Sequence, residues 1–290
     1  MTIYKNNSIQ TVQLAWIFLA LFTIIGCETI VEVDLPEHEP VLVANSLFSP
    51  GGLWEVKLNK SKSSLDRESN RAITNATIEI FDGENLVASL KHVDDGIYRS
   101  TANETPEIGS TYTLQASAPG FDPIVASDYV PEPVQISSVQ TDINSYPFKV
   151  TVRFSDPPNE KNYYQVLVIS EDTNGSGELH PVWFESDDLL FQDLGGVDPG
   201  DALFDDSLIS GKNYSLILKT YPHQVEPMAQ MYVMLLSVSE SYYNYMKSTK
   251  FQEDHGENPF STPIQVYNNI ENGLGVFAGY AVSMFPAFGQ

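Results

Sequence analysis

The chain has 290 residues with 38 acidic against 15 basic side chains, a formal charge of −23, and 15 Tyr and 15 Phe. Such acidity repels nucleic acid and anionic lipid surfaces, while the aromatic content argues against a disordered polyanion. A single cysteine excludes an internal disulfide and any metal centre built from several thiolates, so folding rests on packing.

In chain order, Lys5 is the only charge before Cys27, and Val12 to Ile25 is almost unbroken in apolar residues, the arrangement of a secretory signal. The run is shorter than the roughly 20 apolar residues of a spanning helix. It stops at Gly26-Cys27 and gives way to Glu28, Glu32 and Asp34. Leu21-Phe22-Thr23-Ile24-Ile25-Gly26-Cys27 resembles the lipobox of bacterial lipoproteins, with Ile24 and Ile25 standing where Leu and then Ala or Ser are usual. The resemblance implies a signal peptide over 1–26, cleavage before Cys27, acylation of that cysteine (palmitate among the chains) and a lipidated tether over 27–40. The competing readings of Cys27 are a free core thiol and an N-terminal helix that is never cut. The acids after Cys27 resemble the surface-export signal of Bacteroidota lipoproteins.

From Val41 onward short alternating segments are separated by turn residues, the pattern of an antiparallel sandwich. Val41 to Ala44, Trp54 to Leu58, Ala76 to Ile80, Val87 to Leu90, Ile97 to Arg99 and Tyr112 to Ser117 read as strands, with Asp82-Gly83 and Asp94-Asp95-Gly96 as turns. Lys60 to Asn75 reads as a polar loop. The order A-T-I-E-I-F-D-G, D-D-G-I-Y, then G-S-T-Y-T-L-Q-A-S-A-P-G-F resembles the transthyretin-like and carboxypeptidase-regulatory sandwich modules over 41–130.

Val130-Pro131-Glu132-Pro133-Val134 is the expected boundary, because two nearby prolines favour extended chain and cannot donate to a ladder. A second β-rich domain is expected over 134–290. Its strands are Phe148 to Ser155, ended by Asp156-Pro157-Pro158-Asn159, then a nearly continuous apolar run from Tyr164 to Ile169 that reads as central. Ser215 to Thr220, Met231 to Leu236, Ile264 to Tyr267 and Val276 to Phe285 follow. Ser237-Val238-Ser239-Glu240 has the form of a capping box, predicting a helix over 238–251 with Tyr242, Tyr245 and Met246 on its buried face. The fold class is therefore mainly all-β: two antiparallel β-sandwich-like domains, the second carrying one helix near the C-terminus.

Three constellations invite chemistry. Asp172, Asn174, Ser176 and Glu178 alternate, with Gly177 at the sixth position, like the opening of an EF-hand loop. The twelfth position is Trp183, where a bidentate Glu is needed, so a hairpin loop without calcium is the expectation. Asp187, Asp188, Asp193, Asp198, Asp201, Asp205 and Asp206 form a second acidic cluster, which would hold a calcium ion if its loop folded back and otherwise reads as solvated loop acids. Gly273, Gly275 and Gly279 lack dinucleotide-fingerprint spacing and read as glycines that permit tight strand packing or a bulge. His38, His92, His180, His223 and His255 show no metal spacing, and no nucleophile elbow or P-loop is present. No catalytic, cofactor or metal residue is assigned, and an enzyme is not expected; lipidation at Cys27 is the one site.

S-E-S-Y-Y-N-Y-M-K-S and E-N-P-F-S-T-P-I-Q-V-Y-N-N-I-E-N-G-L-G-V-F-A-G-Y, with Y-V-P-E-P-V-Q-I in the middle, resemble the Bacteroidota lipoprotein family called domain-of-unknown-function family 4249. That resemblance implies an outer-membrane lipoprotein held in the bilayer by its cysteine, facing the cell surface, and partnered with a TonB-dependent transporter barrel as an accessory or ligand-binding protein. It brings no catalytic residues. The alternative expectation is a structural or assembly subunit of an outer-membrane envelope complex.

Overall fold

Alternation of apolar and polar residues builds most of the strands, as a half-buried sheet requires. The computed structural model describes residues 39–62, 71–101, 104–172, 177–194, 201–221, 230–256 and 265–288. Its first half runs β1 (Leu42–Phe48), β2 (Glu55–Lys60), β3 (Thr77–Asp82), β4 (Asn85–Asp94), β5 (Ile97–Ser100), β6 (Thr111–Ser117) and β7 (Ile124–Tyr129). On β2 Val56 and Leu58 turn inward between exposed Glu55 and Lys57, and on β6 Tyr112, Leu114 and Ala116 do the same. The second half runs β8 (Ile136–Asp142), β9 (Phe148–Ser155), β10 (Tyr163–Glu171), β11 (Leu179–Pro181), β12 (Phe184–Glu185), a 3-10 helix (Leu189–Leu194), β13 (Asp201–Asp205), β14 (Asn213–Thr220), β15 (Met231–Val238), the helix α1 (Glu240–Gly256) and β16 (Leu274–Phe288). The protein is mainly β with sandwich-like sheets and one α-helix among the described residues, as expected. No helix among them is long and apolar enough to cross a membrane.

β16 joins the two halves. Its first residues pair in parallel with β1, from Val43↔Leu274 to Phe48↔Gly279. Its later residues pair antiparallel with β15, from Val238↔Tyr280 to Met231↔Phe288. One sheet therefore runs β11-β10-β15-β16-β1-β2-β5-β4-β3-β6-β7, with β13 also on β10, and β12-β14-β9-β8 form a second. The parallel pair departs from the antiparallel expectation. Its partners lie too far apart in sequence for periodicity to reveal.

The large sheet rolls until β7 comes back to β16. Glu271 N donates to the Val125 carbonyl at 2.8 Å, and Gly279 N donates to Oδ2 of Asp128 at 3.0 Å. Glycine is needed at this closure because a Cβ on Gly279 would run into the Tyr129 carbonyl oxygen. Gly275, at φ +116, lies equally tight on Ala44 of β1. Both therefore serve close backbone approach, as the sequence reading expects. Inside the roll Trp54 meets Phe48 at 5.2 Å and Tyr112 at 4.8 Å between ring centroids, and Phe277 of β16 lies tilted against Phe48 at 4.5 Å.

The chain passes from one core to the other between Val130 and Val134, where the two prolines stand. The segment 134–290 is nonetheless not confined to one side, since Ile270, Phe277 and Ala281 pack in the first core. Pro40–Gln290 form one compact unit. In the second half Val150, Val152, Phe154, Leu216 and Leu218 of one sheet face Tyr164, Val166, Val233 and Leu235 of the other. α1 covers the opposite face of β10 and β15, so β10 is buried on both sides and reads as a continuous apolar run.

Several sequence expectations need correction. α1 begins at Glu240, not 238, because Ser239 is the N-cap: its Oγ accepts from Tyr242 N at 3.2 Å. Ser237, the serine of the expected capping box, points into the sheet, where its Oγ accepts from Val134 N. The helix continues past 251 to Gly256. Residues 265–267 are not in a strand. β7, β8, β11, β12 and β13 were not anticipated. Residues 1–26, Cys27, Glu28, Glu32, Asp34, and 63–70 of the expected loop lie outside the described residues.

Candidate cleft on the four-stranded sheet

The outward face of β12-β14-β9-β8 carries an open cleft of ≈ 630 Å³, lined by Pro147, Lys149, Glu185, Asp188, Lys219 and Tyr221 among others. Strand register sets its chemistry. Glu185 pairs with Lys219, Lys219 with Lys149, and Lys149 with Asp142, so one transverse row reads acid, base, base, acid. Their neighbours Phe184, Thr220 and Val150 turn inward. Continuing the antiparallel register by one residue sets Trp183, Tyr221 and Pro147 in the adjoining row. Like charges directly opposed across strands are unfavourable, and here Asp187 offsets the pair by bonding Lys219 Nζ. That contact holds the Lys219 pKa above its ordinary value.

Each acid of the cleft is already held. Asp188 Oδ1 accepts from Tyr214 Oη at 2.6 Å and from Leu190 N at 3.1 Å, starting the 3-10 helix. Burial, reinforced by that hydrogen bond to Asp188, pushes the Tyr214 phenol up. Tyr221 Oη donates to Glu185 Oε2 at 3.4 Å, and the Glu185 charge raises the Tyr221 pKa. Lys149 makes no ion pair or side-chain hydrogen bond among the described residues. Tyr146, 75% exposed, meets Tyr221 edge-on at 5.8 Å, and Trp183 (55%) and Ile217 (45%) are exposed on the same sheet. Held acceptors, two ammonium groups and exposed rings suit binding of a small ligand.

The sequence-flagged acids disperse. Asp187 and Asp188 reach the cleft, whereas Asp205 caps a turn by accepting from Ser207 N. Asp206 is buried where its main chain bonds Asn162, and desolvation raises its pKa. Asp198 and the side chains of Asp193 and Asp201 lie outside the described residues. Asp172 and Glu178 flank the β10–β11 hairpin, closed by Asp172 N donating to the Glu178 carbonyl. Asn174 and Ser176 lie outside the described residues. The structure adds His180, whose ring nitrogen lies within 4.8 Å of carboxylate oxygens of Asp172 and Glu178. His92 instead packs on the Tyr98 ring; His38 and His223 lie outside the described residues. Lys149, Lys219, Tyr146 and Tyr221 were missed, since the cleft gathers three segments that share no motif. Their only signal is the placement of basic and aromatic residues at outward strand positions of an acidic chain.

A family model described as Domain of unknown function (DUF4249) matches residues 28–285. No curated protein matches the chain. Among solved structures, a DUF4785 family protein from Legionella pneumophila is similar at 11% identity and a TM-score of 0.25, with 68% of this chain and 50% of that one covered. A Salmonella alpha-2-macroglobulin mutant is similar at 9% identity and a TM-score of 0.25, with 88% of this chain and 15% of that one covered. The chain spans half the length of the first and less of the second.

Proposed function

The chain belongs to the family described as Domain of unknown function (DUF4249), and from that premise we propose that it is a cell-surface lipoprotein of the Bacteroidota outer membrane, serving a TonB-dependent transporter as accessory or ligand-binding partner. The observation that carries the binding role is the open cleft on the four-stranded sheet, with fixed acids, two opposed lysines and exposed rings. The location rests on the apolar run ending in Gly26-Cys27 and on the acids Glu28, Glu32 and Asp34 behind it. Two or more acyl chains on Cys27 hold a protein on a bilayer where one chain barely does, at about 0.8 kcal/mol per buried methylene.

The test has two parts. Cys27→Ser should leave the precursor uncut or release the body as a soluble species, read by fractionation and by surface protease on intact cells. Retention in the membrane at the same size as the wild-type protein refutes the anchor and favours an uncleaved helix. Affinity isolation of the wild-type protein from solubilised outer membranes should then bring down one transporter barrel in stoichiometric amount. Recovery of several unrelated envelope proteins without a barrel replaces this reading with the assembly role.

A further inference from the structure

We propose that the cleft on the four-stranded sheet takes a neutral saccharide chain; this rests on the ligand-binding reading and names its ligand class. The two central strands under the cleft, β14 and β9, are paired on both sides, so no backbone edge opens onto its floor. A ligand on its face must therefore be held by side chains, which disfavours an added peptide strand, whose affinity comes from main-chain hydrogen bonds at an edge.

Charge narrows the choice further. The lining holds three carboxylates, Glu185, Asp187 and Asp188, against the two ammonium groups of Lys149 and Lys219, in a protein of formal charge −23. An anionic ligand meets that field unfavourably. A cationic ligand meets Lys149 and competes with Lys219 for Asp187. What fits an acid-base-base-acid row is a group that both donates and accepts while carrying no charge, and a hydroxyl does both.

The acids are held by Lys219, Tyr221, Tyr214 and the 190 amide, yet an ionised carboxylate has about four acceptor positions. Each therefore keeps capacity for a ligand hydroxyl without reorganising. The Lys149 ammonium brings three donors. Beside this row, the Tyr221 and Tyr146 rings stand edge to face, and the exposed Trp183 falls opposite Tyr221 when the β12–β14 register is continued by one residue. Ring faces are electron-rich and meet the C–H faces of a pyranose, so apolar and polar faces of one sugar are matched side by side.

The experiment uses the full-length lipidated protein in a detergent without a sugar headgroup, titrated calorimetrically with cellohexaose, maltohexaose, xylohexaose, mannohexaose and chitohexaose. At least one should bind with a Kd tighter than on the order of 1 mM, and Tyr221→Ala and Lys149→Ala should each weaken it by about tenfold or more, with the melting temperature unchanged. Refusal of all five sugars, binding that survives both variants, or tighter binding of hexagalacturonate or hexalysine each overturns the proposal. Affinity isolation of the wild-type protein, run beside the titrations, separates the two readings. A transporter retained while the sugars are refused overturns the ligand class alone; sugars bound without a transporter overturn the partner role alone.

Discussion

Ser239, the N-cap of α1, donates its hydroxyl to Oδ2 of Asp128, 111 residues earlier in the chain. The same oxygen accepts from Gly279 N. One buried carboxylate therefore ties the last strand of the first half to the start of the helix and to the strand that joins both halves. Without it a helix N-cap and a strand amide would both lose a partner in a dry place.

That clasp depends on pH. Burial, outweighing the hydrogen bonds from Ser239 and Gly279, raises the Asp128 carboxyl from 3.8 to about 6. The folded state thus binds the proton more tightly than the unfolded state. Stability contributed by this group is full below the unfolded value and is lost as pH rises through about 6. The loss amounts to about 3 kcal/mol by pH 8. Asp128→Asn keeps an acceptor for both donors and removes the charge. It should be more stable than wild type at pH 8 and nearly equal at pH 4 in urea unfolding. Parallel stability curves for the two proteins across that range would refute the assignment.

Gly279 gives the same junction a steric test. Gly279→Ala must push apart β16 and the Tyr129 carbonyl, at a cost of about 3 kcal/mol or more, the upper end for overpacking. Gly120→Ala is the control for backbone conformation alone, since its φ of +86 is foreign to alanine while nothing lies within 4 Å of the added Cβ; Gly279 has the clash without a positive φ. It should lose only about 1 to 2 kcal/mol. A Gly279→Ala loss no larger than that of Gly120→Ala in chemical denaturation would show that the closure yields to the added Cβ and does not set the need for glycine.

Where one face is buried and the other wet, the strands were legible: β2, β6 and β9 follow their alternation residue by residue. β7 was not, because Ile124, Ala126 and Asp128 are its inward residues and the last of these is a carboxylate that no hydrophobic pattern would place inside. The cap was misplaced by two residues because Ser237 and Ser239 are equally good caps on paper. Only the tertiary bond from Val134 N decides between them. The cleft was the least legible part. Its acids were visible as a run, but the lysine pair and the rings reach it through strand register, which a single sequence does not state.

The helix face is the third test. Tyr242 is buried, its hydroxyl donates to Gln165 Oε1 at 2.5 Å and its ring lies 5.7 Å from that of Tyr280. Tyr242→Phe should cost about 1 to 3 kcal/mol, the range for leaving a buried acceptor short of a donor. Tyr242→Ala should cost about 3 to 5 kcal/mol by adding a cavity. If the melting temperature holds while a partner is lost, the face is an interface.

The last prediction concerns the β10–β11 hairpin, where Asp172, Glu178 and His180 converge. Calcium prefers six to eight oxygens, and an EF-hand reaches that number through a bidentate carboxylate at its twelfth position. The residue there is Trp183, which lies just before β12 with an exposed side chain and its carbonyl accepting from Thr220 Oγ1. The two carboxylates are joined by an imidazole, a nitrogen ligand that suits softer ions than calcium. Glu178 and His180 are exposed, so the ion would keep much of its water and gain little on binding. Titration calorimetry with calcium should therefore show no saturable binding in the micromolar range. Micromolar binding that disappears in Asp172→Ala would show that the loop supplies the missing oxygens itself, and the hairpin would then have to be counted as a calcium site.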